Sequence, residues 1–227
     1  MVKANKIFYL GILPGLIWQF LGAFLYFVIF AEGWVAQGIY SGTKILMLVW
    51  PFLWIFIGRE FFKSSGKGES IRSVLWGLTF GVVVFAAILG LFYLFEEYFL
   101  QFAPEIIKKV EDLDLVQYYI PFAVFLSVLH SLFEEFYWRV FIFKGLQLKV
   151  SPIWAMLISS LAFASHHFLV VMAFFPLWIS ILFTLAIFAA GMIWCFIYLR
   201  TGKIWGSWIS HFFADVVIMY IGYLMIF

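Results

Sequence analysis

The chain is 227 residues long, and 66% of its residues are hydrophobic while only 11% are charged. Soluble domains carry about 25% charged residues, so the composition excludes a soluble globular protein and predicts helices that cross lipid. A net charge of +2 gives no reason to expect nucleic acid as a partner, and a single cysteine, Cys195, excludes an internal disulfide. We therefore expect an all-α, polytopic membrane protein in contact with membrane lipid.

The N-terminal part of the chain predicts three membrane spans. An uncharged run at 7–30 exceeds the roughly 20 residues that a spanning helix needs, and it is too long for the apolar core of a cleaved signal peptide. A second span is predicted at 34–58, where Lys44 either lies inside the span or extends toward the membrane surface. The apolar run at 74–95 predicts the third span.

Two polar segments flank the third span. The loop at 59–73 carries both signs of charge and has a Ser-Ser-Gly sequence at 64–66, which predicts a turn. The segment at 96–117 is acidic, and the spacing of its apolar residues predicts an amphipathic helix at the membrane surface.

Four further spans follow in the C-terminal half, separated by short basic loops and by Pro176. They are predicted at 119–143, 153–175, 177–199 and 204–227, which brings the total to about seven. We divide the chain into N-terminal transmembrane helices with an acidic loop, 1–118, and a core of helices, 119–227. Together these two parts form one integral domain.

The lysines and arginines between the spans predict the orientation of the bundle, because cytoplasmic loops carry the excess of these residues. With the N-terminus inside, ten of them fall on the inner side, namely Lys3, Lys6, Arg59, Lys63, Lys67, Arg72, Lys144, Lys149, Arg200 and Lys203. Only Lys44, Lys108 and Lys109 fall on the outer side. We therefore predict a cytoplasmic N-terminus.

Three G-x-x-x-G pairs, at 11 and 15, at 38 and 42, and at 77 and 81, occur within the first three predicted spans. Such pairs let two helix backbones approach closely, because glycine has no side chain to hold them apart. We expect each pair to face a neighbouring helix.

Polar side chains suited to acid-base chemistry lie inside predicted spans, and we single out seven of them as candidates. They are Glu134, Glu135 and Arg139 in the fourth span, His166 and His167 in the fifth, and His211 and Asp215 in the seventh. A charge at the centre of a bilayer costs roughly 2.5 to 3.5 kcal/mol on insertion scales, so these groups need partners or a function. A buried network that only locks helix packing is one explanation.

Helical spacing predicts how these groups are arranged. Residues four apart share a face, so Glu135 should pair with Arg139 and leave Glu134 free, while His211 and Asp215 should face one cavity. The two adjacent histidines of the fifth span point about 100° apart, so only one of them is expected to line that cavity.

The pattern E-E-x-x-x-R at Glu134, Glu135 and Arg139, followed by F-x-x-x-H at Phe163 and His167 and H-x-x-x-D at His211 and Asp215, resembles a known family. It is similar to the CAAX prenyl protease and bacteriocin-processing family of intramembrane proteases, also called CPBP or Abi. The resemblance covers about 133–216. One departure is Trp138-Arg139-Val140, where the family has Phe followed by Arg-Gly.

The resemblance implies an intramembrane endopeptidase in which Glu134 and His167 activate water and His211 and Asp215 stabilise the oxyanion. Glu135 and Arg139 would be supporting residues. The roles are chemically reasonable, because a carboxylate in a low-dielectric cavity can act as a general base and an imidazole N–H is a suitable oxyanion donor. A carboxylate accepts hydrogen bonds, so Asp215 should either orient His211 or be protonated.

No cofactor is expected, although the same residue types can bind metal. Zinc held by Glu134, His167 and His211, with an open position for water, is the alternative chemistry. The sequence lacks the H-E-x-x-H pattern of many zinc proteases.

The expected substrate is a membrane-associated peptide or protein, with or without a lipid attached. The resemblance allows a prenylated C-terminal CAAX protein, a bacteriocin or pheromone precursor, or a C-terminal sorting tail, and we expect the plasma membrane of a prokaryotic cell. A catalytically idle scaffold or immunity protein and a proton-coupled transporter are the alternative functions. The sequence leaves the oligomeric state open.

Overall fold

The computed structural model describes residues 2–30, 33–62 and 69–227, and these contain helices but no strand. Within these ranges, seven helices are long and apolar enough to cross a membrane, as the sequence predicts. They are α1 (Val2–Phe30), α2 (Gly33–Ile57), α3 (Ser70–Leu94), α4 (Val116–Leu146), α5 (Pro152–Met172), α6 (Leu177–Thr201) and α7 (Trp205–Ile226). The prediction of an all-α, polytopic helix bundle is confirmed.

Short helices connect several of these spans. Arg59–Phe62 follows α2, and Glu96–Leu100 follows α3. The predicted amphipathic helix is Ala103–Asp112, which has an exposed acidic and basic side and a half-buried apolar side. The turn predicted at 64–66 lies outside the described residues.

The first span begins earlier than predicted, at Val2 rather than at residue 7. Its charged first turn is stabilised by contacts with other segments at the same end of the bundle. The Lys3 Nζ lies 2.8 Å from a carboxylate oxygen of Glu60, and Lys149 donates a hydrogen bond of 2.6 Å to the Asn5 side chain. Segments that the sequence assigns to the cytoplasmic side thus meet at one end, while the cytoplasmic location of that end stays a prediction.

The central helix is α4, which contacts α1, α2, α5, α6 and α7. Its buried segment Phe136–Phe143 is π-helical, and so is Leu126–His130. The α-helical turn Ser131–Glu135 lies between them and carries the two glutamates. Wide π-turns are common next to functional sites, where they change the direction in which side chains point.

Helices α3 and α7 pack most closely at glycines. A Cβ added at Gly77 would lie 2.5 Å from the Gly206 carbonyl oxygen and 2.8 Å from its Cα, so the two backbones are in direct contact there. Gly81 contacts the Phe213 ring. The prediction of close packing at 77 and 81 is confirmed.

The other two glycine pairs differ from each other. Gly11 contacts the Trp54 ring and Gly15 contacts α4, as predicted. The prediction is wrong for the pair at 38 and 42, because a Cβ at either position would meet nothing within 4 Å among the described residues. The buried face of α2 instead runs through Ala36, Thr43, Met47 and Pro51.

Gly77→Ala should therefore lower the free energy of unfolding by about 1–3 kcal/mol, because the added methyl group forces α3 away from α7. Gly90→Ala is the matched control on the same helix, since nothing lies within 4 Å of its Cβ position. Thermal unfolding of the two purified variants in detergent measures the difference. Equal stability of the two variants would contradict the close contact between α3 and α7.

Candidate active site

Both adjacent glutamates of α4 lie in the interior of the bundle, where Glu134 is 3% exposed and Glu135 is fully buried. The Arg139 Nε lies 3.0 Å from the Glu135 Oε2, which confirms the predicted ion pair. The guanidinium of Arg139 also lies over the rings of Phe163 and Trp194, at 5.0 and 5.2 Å from their centroids. These cation–π contacts help to hold a charge away from water.

Glu135 has a second partner in α7. Its Oε1 lies 3.0 Å from His211 Nδ1, and the His211 ring stacks on Trp194 with the centroids 4.2 Å apart. Because a carboxylate only accepts hydrogen bonds, the Nδ1 carries the proton and the ring orientation is fixed. The His211 Nε2 is left to face Glu134.

Asp215 lies on the other side of the His211 ring from Glu135. Its Oδ1 is 3.6 Å from His211 Nε2, so the two residues share a helix face as predicted, while the cavity that they should line stays a prediction. His211 donates its orienting hydrogen bond to Glu135 rather than to Asp215.

A ring of nitrogen atoms surrounds the Glu134 carboxylate. His130, His166 and His211 place their Nε2 atoms at 3.8, 3.8 and 3.9 Å from it, and His167 Nε2 and Lys44 Nζ lie at 4.0 Å. The helical spacing predicts that Glu134 is left free when Glu135 pairs with Arg139. In the structure its carboxylate instead has charged and polar neighbours from other helices. These distances exceed those of a direct hydrogen bond, and they leave room for a water molecule or a substrate atom.

Both adjacent histidines of α5 reach Glu134, whereas only one was expected to line the cavity. The Nδ1 of His167 is 2.9 Å from the Phe163 carbonyl oxygen of its own helix, and this bond directs its Nε2 toward Glu134. His166 stacks on Trp138 with an interplanar angle of 7°. Two side chains that point 100° apart can reach the two oxygens of one carboxylate when that carboxylate lies between their directions. His166 approaches Oε1 of Glu134 and His167 approaches Oε2.

Two further residues at the site were not predicted to belong to it. His130 lies four residues before Glu134 and therefore on the same helix face, a spacing that could have identified it. Lys44 lies inside α2, one of the two positions that the sequence allowed, and its Nζ is 2.8 Å from His130 Nε2. An isolated lysine within an apolar span was the available signal.

The ligand atoms of Glu134, His166 and His167 all lie within 4.8 Å of one another, which is close enough for one metal ion. Hydrogen bonding of His167 Nδ1 to a backbone carbonyl is also the usual arrangement of a metal-bound histidine. This group has His166 where the predicted zinc set had His211, although His211 Nε2 is only 3.9 Å from Glu134. The donor types therefore fit a metal, and they equally fit general-base chemistry.

A family model described as "Type II CAAX prenyl endopeptidase Rce1-like" matches residues 116–217. No curated protein and no solved structure matches the chain. The matched region runs from the beginning of α4 into α7 and includes the three motifs found in the sequence. Residues 116–217 of this membrane-spanning protein therefore match the Rce1-like type II CAAX prenyl endopeptidase family, and the resemblance carried by the motifs is confirmed.

Proposed function

We propose that the protein is an intramembrane endopeptidase that hydrolyses a peptide bond in a membrane-associated peptide or protein, with Glu134 as the general base. One observation supports this best: a buried carboxylate inside a bundle of membrane spans is surrounded by four imidazole Nε2 atoms at 3.8–4.0 Å. Such a group is costly in lipid, and its arrangement suits the activation of water.

The water would lie between Glu134 and His167. The Glu134 Oε2 and the His167 Nε2 are 4.0 Å apart, so a water oxygen about 2.8 Å from each atom could donate a hydrogen bond to both. The His167 Nε2 accepts because the Nδ1 proton is donated to the Phe163 carbonyl. As the water oxygen attacks the scissile carbonyl carbon, Glu134 takes its proton and later gives that proton to the leaving amine.

The developing oxyanion would face His211. Glu135 holds the Nδ1 side of that ring, and the carboxylates of Glu134 and Asp215 lie near its Nε2, so a proton on Nε2 is electrostatically stabilised. A protonated Nε2 donates a hydrogen bond to the tetrahedral intermediate. Asp215 lies beside His211 Nε2, where the oxyanion would form. Its carboxylate would hold the Nε2 proton in position before substrate binds.

A metal-dependent version of the same hydrolysis remains the second candidate, because Glu134, His166 and His167 would hold zinc. Bound zinc would act as a Lewis acid and make water a stronger nucleophile at neutral pH. In that case Glu134 would be a ligand rather than the base.

The experiment that tests the proposal measures cleavage of membrane-tethered peptides, prenylated and unprenylated, by the purified protein in detergent. The wild type should cut at least one peptide without added metal and in the presence of a chelator. His167→Ala should lower the rate by about 10²-fold or more. Ser165→Ala, two residues away on α5, is the matched control and should cut normally.

Other outcomes point to other functions. Loss of cleavage with the chelator, restored by zinc, would replace the metal-free mechanism by the metal-dependent one. If the folded wild type cut none of the peptides, peptide binding without cleavage would favour the idle scaffold or immunity protein. Proton-coupled uptake into vesicles would then favour the transporter.

The substrate class that this function implies is a peptide or protein already anchored in the membrane, and the prenylated C-terminal CAAX protein is the first to test. We propose that the protein acts in the plasma membrane of a prokaryotic cell, with its N-terminus in the cytoplasm. Reporter fusions to the two ends of the chain would measure the orientation.

A further inference from the structure

The first turn of α7 is bonded to a residue of α3. The N–H of Gly206 donates a hydrogen bond of 2.9 Å to the hydroxyl oxygen of Ser73, which is fully buried. Ser73 is the fourth residue of α3 and lies outside residues 116–217, the region that matches the family. A residue outside that region thus makes a direct bond to the helix that carries His211 and Asp215.

The Ser73 hydroxyl takes the place of an N-cap side chain. The first N–H groups of a helix have no partner within the helix, and an N-cap side chain normally accepts from the second or third of them. In α7 the N-cap residue is Ile204, whose side chain makes no such bond, and Gly206 is the second residue of the helix. The acceptor that the local sequence lacks therefore comes from α3.

The contact around this bond is close-packed. A Cβ added at Gly206 would collide with the Ser73 carbonyl oxygen and would lie 2.8 Å from the Ser73 Oγ, and Gly77, one turn further along α3, meets the same glycine. The Ser73 Oγ also lies 3.3 Å from the Lys203 carbonyl oxygen and 3.3 Å from the Thr201 hydroxyl. Ser73 thus joins α3 to the end of α6, to the turn that follows it and to α7.

A second bond holds the beginning of α7 from another side. The indole N–H of Trp208 donates a hydrogen bond of 3.0 Å to the Val128 carbonyl oxygen of α4. Val128 belongs to the π-helical segment that precedes the turn with the two glutamates. A helix that is bonded at one point can still pivot about that point, whereas bonds to two different neighbours fix its position. The two bonds are therefore not redundant.

The position of His211 depends on where α7 begins. His211 is five residues after Gly206, which is about 7.5 Å along the helix axis. Its Nδ1 lies 3.0 Å from Glu135 and its Nε2 lies 3.9 Å from Glu134, so a displacement of about 1 Å would break the first contact and alter the second. Misplacement on that scale can lower a catalytic rate by about 10²-fold.

We propose that Ser73 is a positioning residue for the reaction: its hydroxyl fixes the beginning of α7 and thereby holds His211 where it donates to the oxyanion. This inference rests on the proposed endopeptidase function. It gives a role in the geometry of the site to α3, which contributes none of the nitrogen atoms described around Glu134.

Ser73→Ala removes the acceptor, and it should lower kcat for peptide cleavage by about 10- to 10²-fold. Because His211 stabilises charge that develops only in the transition state, KM should remain nearly unchanged. Thr79→Ala is the matched control, since Thr79 is an exposed residue of α3 whose hydroxyl bonds to its own helix, and it should keep the wild-type kcat. A Ser73→Ala variant with the wild-type kcat would overturn the proposal.

A double-mutant cycle distinguishes positioning of His211 from a general structural role. In a His211→Ala background, Ser73→Ala should have almost no further effect on kcat, because the residue through which Ser73 acts is gone. An equal loss in both backgrounds would overturn the proposal. Should Ser73→Ala fail to fold, Ser73→Cys replaces the hydroxyl by a weak acceptor of similar shape. Its smaller loss of kcat should again appear only when His211 is present.

A distance between α3 and α7 tests the positioning without any cleavage. Nitroxide labels would be attached to cysteines that replace Ile71 and Ile218, which are exposed residues of these two helices, while Cys195 is buried. Ser73→Ala should shift or broaden the distance distribution by about 1–2 Å, and Thr79→Ala should not. If the wild type cut no peptide, the endopeptidase function would fail separately. The shift would then still support Ser73 as the residue that fixes α7, and identical distributions would overturn it.

Discussion

Glu134→Gln should lower kcat for peptide hydrolysis by about 10²–10⁴-fold while the chain remains folded. An amide has the shape of the carboxylate, but it cannot take a proton from water. The nitrogen atoms around Glu134 lie 3.8–4.0 Å away, so no direct hydrogen bond is broken by the replacement. The variant should therefore lose peptide hydrolysis and keep the packing of its helices.

Initial rates of peptide cleavage, compared with helix content and a single gel-filtration peak, measure these two effects separately. Glu105→Gln is the matched control, because Glu105 is an exposed carboxylate of the surface helix. A Glu134→Gln variant that cut peptide at the wild-type rate would exclude Glu134 as the base.

Arg139→Met should lower the free energy of unfolding by about 3–5 kcal/mol, the usual cost of removing one partner of a buried ion pair. Arg139 and Glu135 are both fully buried and are joined at 3.0 Å, so the variant leaves a carboxylate without its cation. It also removes the cation–π contacts with Phe163 and Trp194. The His211 orientation should suffer as well, since it depends on Glu135.

Denaturant unfolding of the purified variants in detergent measures the loss. The double variant Glu135→Gln with Arg139→Met removes both charges, and it should recover part of the stability that the single variant loses. Recovery of stability without recovery of cleavage would separate the packing role of the pair from its role in orienting His211. An Arg139→Met variant as stable as the wild type would contradict the buried ion pair.

The local parts of this architecture could be predicted from the sequence. Apolar runs of about 20 residues predict spanning helices because the bilayer sets their length, and the described part of the chain contains seven such helices. The Glu135–Arg139 pair and the common face of His211 and Asp215 follow from residues four apart on one helix.

The contacts between distant segments could not be predicted in this way. Lys44 and His130 are 86 residues apart and meet only because α2 packs against α4, which no helical periodicity describes. The same limit explains why His211 is oriented by Glu135, which is distant in sequence, and not by Asp215, which is four residues away. It also explains why the glycines at 38 and 42 have the spacing of a packing motif, although no described residue lies within 4 Å of a Cβ added there.

The central claim is that Glu134 activates water for peptide hydrolysis inside the membrane, and isotope incorporation tests it most directly. Purified wild-type protein would be incubated with a membrane-tethered, prenylated peptide in water enriched in ¹⁸O, and the masses of the products would be measured by mass spectrometry. We expect two fragments, with one ¹⁸O atom in the newly formed carboxylate, and no fragments with Glu134→Gln. An intact peptide with folded wild-type protein, or labelled fragments at an undiminished rate with Glu134→Gln, would contradict the claim.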